Sequence, residues 1–190
     1  ENLTLITNDI VMRGDLFLDN NGYLKKINIL EFIRELDNYT AEILFQENDE
    51  FKIEISGSSL NIDNYFSEDS DESLNGSINI STDKFYLKGL NLGKVNLSSA
   101  VKNNKIKDLY GSIAHNDKSY VDFDYSLGAK QNSKFNINFS NFGLFLLNVD
   151  FSDKFLKGYG DVILNIDNQT KKIVSGKYFI KDFSIKDASF

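Results

Sequence analysis

Apolar and polar residues alternate along most of this chain. The clearest stretch is Val121, Phe123, Tyr125 and Leu127, which share one face while Asp122, Asp124 and Ser126 take the other. Period two is the signature of a sheet with one apolar and one wet face. Phe135, Ile137 and Phe139 repeat it opposite Asn136 and Asn138, and Val162, Leu164 and Ile166 repeat it again. Earlier strands are expected around Ile10–Leu18, from Leu24 through Ile29 to about Phe32, at Ile43–Phe45 and at Phe51–Ile55, with Gly57 ending the last. Ile78 and Ile80, then Leu92 to Val101, Ile106 to Ala114 and Val174 to Ile185 complete the set.

Short Asn/Asp/Gly segments separate these runs. Asp19-Asn20-Asn21-Gly22, Asn103-Asn104, Asn116-Asp117 and Asp167-Asn168-Gln169-Thr170 read as hairpin turns, because Asn and Gly tolerate positive φ. Gln46–Glu50 reads the same way. Two places break the alternation. Asn141–Asn148 reads as a short helix with Asn141 as its cap. A single helical turn is expected near Ile62–Phe66. The fold class is therefore all-β: a curved, mainly antiparallel sheet of repeated hairpins with one or two short helices.

Composition sharpens this picture. The 190 residues hold no proline. Proline removes a ladder donor and is excluded from central strands, so its absence suits a chain made mostly of paired strand. There is no cysteine, which excludes a disulfide framework, a thiolate zinc site and a cysteine nucleophile. The single histidine, His115, excludes a multi-histidine metal site within this chain. A net charge of −7 is the opposite of a nucleic-acid footprint. No apolar run reaches the roughly 18–20 residues of a membrane-spanning helix. The chain opens on Glu1, so it is read as a single segment, 1–190, of something longer. A sub-boundary is placed at the acidic loop 67–73.

Chemical motifs are few. His115 beside Asp117 could be written as a base and its orienter, but no nucleophile motif accompanies them and a surface turn is the preferred reading. The acidic loop Glu68–Glu72 lacks EF-hand spacing. Asp122/Asp124 and Asp161/Asp167 read as charges on the wet face, and Lys25-Lys26 and Lys171-Lys172 as solubilising pairs beside turns. Gly158-x-Gly160 lacks the strand–loop–helix context of a phosphate site and marks a bulge or a close backbone approach instead. No cofactor and no catalytic residue is expected. What remains is the apolar face, rich in the chain's sixteen Phe and nine Tyr.

The stretch Phe135–Phe190 resembles the AsmA-like superfamily, in particular its YhdP-type branch. The resemblance rests on the helix Asn141–Asn148 with Gly143, on Gly158, Gly160 and Gly176, and on the closing segment Asp182-Phe183-Ser184-Ile185-Lys186-Asp187-Ala188. Ile55–Phe66 is similar to a second family segment, and Ser189 stands where the family often has proline. The resemblance implies a periplasmic section of a longer protein of Gram-negative bacteria, anchored in the inner membrane by parts outside this segment. Its partners would be phospholipid and adjacent β-groove units of the same chain. It would carry acyl chains between inner and outer membrane, without enzymatic activity. The groove would be lined by Val121, Phe123, Tyr125, Leu127, Phe135, Ile137, Phe139, Val162, Leu164 and Ile166. Phe142, Phe145 and Leu146 of the helix would close one end. The alternative is a structural or adhesive β-sandwich with a sealed core and no lipid.

Overall fold

The computed structural model describes residues 1–46, 50–65, 75–128, 132–170 and 172–186. The strands are β1 (Asn2–Ile6), β2 (Val11–Leu18), β3 (Leu24–Arg34), β4 (Asp37–Phe45), β5 (Glu50–Asn61), β6 (Asn75–Thr82) and β7 (Phe85–Leu87). They continue with β8 (Leu90–Asn91), β9 (Lys94–Lys102), β10 (Lys105–His115), β11 (Lys118–Ser126), β12 (Asn132–Phe139), β13 (Phe155–Asp167) and β14 (Ile173–Ile185). A 3-10 turn covers Ile62–Tyr65, and the helix α1 covers Phe142–Asn148.

One open sheet holds nearly everything, in the order β1-β2-β3-β4-β5-β6-β9-β10-β11-β12-β13-β14. Neighbours are antiparallel except β5 and β6, which run parallel. The all-β expectation holds, as does the helix, whose Asn141 side chain accepts the Leu144 N–H at 3.0 Å. The 3-10 turn lies where a helical turn was expected; Phe66 and the acidic loop 67–73 lie outside the described residues, as does Asp187-Ala188. Ile29–Phe32 is strand, and β3 continues to Arg34.

Three features differ from the sequence reading. The alternation gave no sign of β1. It also missed β7 and β8, a short hairpin beside the end of β5. Gly57 does not end its strand: β5 runs through it to Asn61. A Cβ at Gly57 would lie 2.4 Å from the Asn38 carbonyl oxygen and 2.5 Å from the Tyr39 Cα. The pairing of β4 with β5 slips at Asn38/Tyr39, so glycine here admits a bulge rather than a break. Gly160 is a close approach of the same kind, as its Cβ would lie 1.8 Å from the Phe179 carbonyl oxygen.

Register turns the alternation into a surface. One row of cross-strand partners runs Leu3, Gly14, Ile29, Ala41, Ile55, Ile80, Leu97, Gly111, Phe123, Ile137, Val162 and Tyr178. No charged side chain interrupts it across twelve strands. The row on the other face runs Asn28, Glu42, Glu54, Asn79, Ser98, Tyr110, Asp124 and Asn136. Side-chain hydrogen bonds knit that wet face. Ser98 Oγ donates to Asn79 Oδ1 at 2.6 Å, Asn136 Nδ2 to Asp124 Oδ2 at 2.6 Å, and Asn138 Nδ2 to Asp161 Oδ1 at 2.7 Å.

The sheet curls with its apolar face inside. Five strand steps separate β5 from β12. A flat sheet would hold them about 24 Å apart, yet Ile53 of β5 and Phe135 of β12 wall the same cavity.

Candidate functional site: an apolar trough closed at one end

The trough varies in depth along the strands. At one end a row of Tyr39, Gly57, Thr82, Val95, Ile113, Val121 and Phe139 is tightly covered. Val95 and Val121 are each 2% exposed there. Two small pieces supply the cover. One is the β7–β8 hairpin with Leu60, held by the Leu60 N–H to the Lys84 carbonyl at 3.0 Å and the Phe85 N–H to the Gly93 carbonyl at 2.9 Å. The other is α1, whose Phe142 and Phe145 rings lie 5.3 and 4.9 Å from that of Phe139. Tyr120 joins them. Its hydroxyl donates to the Leu92 carbonyl at 2.9 Å and accepts from Asn148 Nδ2 at 2.7 Å.

A polar cluster pins the 3-10 turn to this end. Asp37 is 1% exposed. Its carboxylate accepts from the Asn61 N–H at 2.6 Å, Asn64 Nδ2 at 3.0 Å and the Tyr65 hydroxyl at 3.2 Å. Arg34 forms an ion pair with it at 3.2 Å and lies over the Phe32 and Tyr65 rings. Burial pushes the Tyr65 phenol well above its usual range, and its hydrogen bond with Tyr39 acts in the same direction. Burial raises the Tyr39 phenol too. The sequence reading missed this cluster. Its partners lie 24 to 28 residues apart, apart from Arg34 at three.

Below the covered end is a cavity of about 590 Å3. Its walls are aliphatic and aromatic apart from Ser99, and the Tyr65 hydroxyl is the other polar group among the lining side chains. A second space of about 510 Å3 shares Ile106, Leu109 and Phe135 with it and reaches the Asn104-Lys105 turn. The Tyr125 hydroxyl donates to Ser133 Oγ at 2.9 Å, and Ser133 donates to Asn168.

The expected groove residues divide into three groups. Val121, Phe123, Phe135, Ile137 and Phe145 line the first cavity. Tyr125, Leu127, Phe135 and Ile166 line the second. Phe139, Val162, Leu164, Phe142 and Leu146 line neither. Phe139, at 3% exposed, and Leu146 are core, while Val162 and Phe142 pack against that core. Leu164 stands on the same face, between Phe135 and Gly176. The sequence reading took Ile53, Ile55, Ile78, Ile80, Val95 and Leu97 as strand positions without assigning them to the groove; they form its opposite wall. Leu92, expected as the start of a strand, precedes β9 and lines the cavity as well, while Leu60, Phe85 and Leu87 were missed with the β7–β8 hairpin.

The chemical candidates are dispersed. Asp117 pairs with Lys94 at 2.9 Å, and this hydrogen bond holds its carboxyl below the usual range. His115 lies at the exposed end of β10. Asp122 accepts from Ser119, and Asp167 caps its own turn through the Gln169 and Thr170 N–H groups. Lys26 pairs with Glu42, and Lys171 lies outside the described residues. Among the described residues no three His, Cys, Asp or Glu side chains gather as a metal site. Comparisons with protein-family models, with curated proteins and with solved structures find no match for this chain.

Proposed function

We propose that this segment is a lipid-handling element without enzymatic activity, whose trough holds acyl chains out of water. The observation that carries the reading is the unbroken apolar row across twelve strands, opening into a cavity of about 590 Å3 with almost no polar wall. Ligand sites of this size are lined mainly by apolar and aromatic groups. Burial contributes about 0.8 kcal/mol per CH₂ group, and a uniform apolar wall offers similar burial at each step, so a chain slides without a deep trap. The AsmA-like resemblance extends the proposal to phospholipid moving between inner and outer membrane through a periplasmic conduit, with this segment as one section. A sealed β-sandwich needs a second sheet across the apolar face. Among the described residues only the β7–β8 hairpin, the 3-10 turn and α1 lie over it.

Native mass spectrometry with lipid extraction tests the reading. Phospholipid is expected on the purified segment, or after incubation with liposomes. Phe123 lines the cavity on the central row. Phe123→Asp is expected to weaken chain binding by about tenfold or more, because an unpaired carboxylate in an apolar wall is costly, while circular dichroism still reports sheet. Lipid retained by that variant, or a clean protein mass in every condition, refutes the proposal.

A further inference from the structure

We infer that copies of this chain join head to tail, β14 of one pairing in parallel with β1 of the next, so that the trough continues from copy to copy. Each edge strand has one neighbour in the sheet, β2 for β1 and β13 for β14. Both are exposed along nearly their whole length, and the free backbone groups of such an edge are a template for another strand. Direction follows from the topology. β5 and β6 pair in parallel over eight residue pairs, so the sheet already holds one parallel junction between two antiparallel runs. β5, β6 and β14 all run from the open rim towards the covered end, and β1 does the same, since it ends at Ile6 beside Val11. A β14–β14 pair that kept both apolar faces on one side would be antiparallel. It would set the covered end of one trough beside the open rim of the other.

Register follows from the apolar rows. The central row reaches Leu3 at one edge and Tyr178 at the other. The covered row reaches the edges as well, at Leu5 through Met12 and Phe32, and at Ile180 through Gly160. Leu3 beside Tyr178 and Leu5 beside Ile180 are one and the same parallel register, so a single placement joins both rows. It covers Tyr178, which is 82% exposed, and Leu5, which is 42% exposed. On the wet face it sets Asn2, Thr4 and Ile6 beside Lys177, Phe179 and Lys181, and β1 carries no charge to oppose the lysines. Such a heterologous contact leaves a free β1 and a free β14 at the two ends of every assembly, so growth is open-ended.

Two variants of the intact segment test the contact. Asn2→Lys, Thr4→Lys brings charges beside Lys177 and Lys181 in the inferred register and leaves β14 unaltered. Ser175→Lys, Phe179→Lys charges β14 and leaves β1 unaltered. Native mass spectrometry over a concentration series reads the assemblies, with one variant isotope-labelled. The parent is expected to give an unclosed ladder of dimers, trimers and longer species. Each variant alone should be monomeric. Their equimolar mixture should restore one mixed dimer, β14 of the first on β1 of the second, and nothing longer. The chain has no cysteine of its own, so Thr4→Cys mixed with Phe179→Cys should cross-link through a short bismaleimide, while neither cross-links to itself. This pair decides alone if circular dichroism shows that a lysine variant has lost its sheet. Dimers of the β1 variant alone would mean β14–β14 pairing, and dimers of the β14 variant alone would mean β1–β1 pairing. Either result overturns the inference, as does a parent that stays monomeric at every concentration or variants that assemble as the parent does. All of these leave the lipid-handling reading standing, because the inference rests on strand register and not on a ligand.

Discussion

At the residue scale, the most constrained group is the Asp37 carboxylate, buried and surrounded by donors from β3, β5 and the 3-10 turn. It ties the cover of the trough to the β3–β4 hairpin. Tyr65 and Tyr39 share that site, and both phenols are raised above the ordinary value of 10.0, chiefly by burial. Above about pH 10 the unfolded chain releases phenol protons that the folded chain retains, so the unfolded state binds fewer protons. The stability from this pair is therefore complete below pH 10 and lost as pH rises toward the folded values. Urea midpoints should fall from pH 10 upward. Tyr65→Phe should lower the midpoint at neutral pH by about 1 kcal/mol through the lost hydrogen bonds, and should make the alkaline fall shallower. An unchanged alkaline slope in the variant would show that the phenol does not carry the effect. None of this was legible in the sequence, because Asp37 sits in a polar stretch and its partners meet it only after β4 and β5 have paired.

At the element scale, local chemistry was the reliable guide. Asn141 caps α1 as its residue type suggests, and the helix packs so close to β13 that a Cβ on Gly143 would lie 2.5 Å from the Phe155 carbonyl oxygen. Asn141→Ala should cost about 1 kcal/mol, read as a lower urea midpoint. It should also loosen the covered end of the trough, read as faster hydrogen exchange at Leu146 and at Tyr120 beneath it. Exchange that speeds equally in β2 and β3 would show global weakening instead of a local role for the cap. Hairpin turns were equally legible, since Asn103, Asn104, Asn116 and Asp117 all take positive φ. Pairing across distance was not. Nothing in the alternation of β5 or β6 marks them as parallel neighbours, and β7 and β8 are too short for a period to show.

At the scale of the whole molecule, the register unites those elements into one apolar surface, and the curl of the sheet turns that surface inward. The period of two was enough to read the fold class and half of the trough wall. The curl, and with it the division between cavity wall and core, depends on which strands face one another. An open sheet also leaves two edges. The β1 edge is five residues long, but β14 runs for thirteen, and all of them except Ile180 are exposed. Val174, Tyr178 and Phe179 stand out along β14, with Tyr178 82% exposed. A long strand with unpaired backbone groups and exposed aromatic residues is a template for another strand. Lys177, Lys181 and Asp182 are the charges that oppose such pairing on this edge. The segment in isolation should therefore self-associate through β14 as its concentration rises, measured by light scattering after gel filtration. The double substitution Ser175→Lys, Phe179→Lys places two more charges on that edge, on the wet face beside Asn165 and Asp161. It should keep the protein monomeric over the same range and leave acyl-chain binding intact. Association unchanged in the variant would move the contact elsewhere, and loss of lipid binding with the monomer would mean that the trough is completed only across the β14 edge.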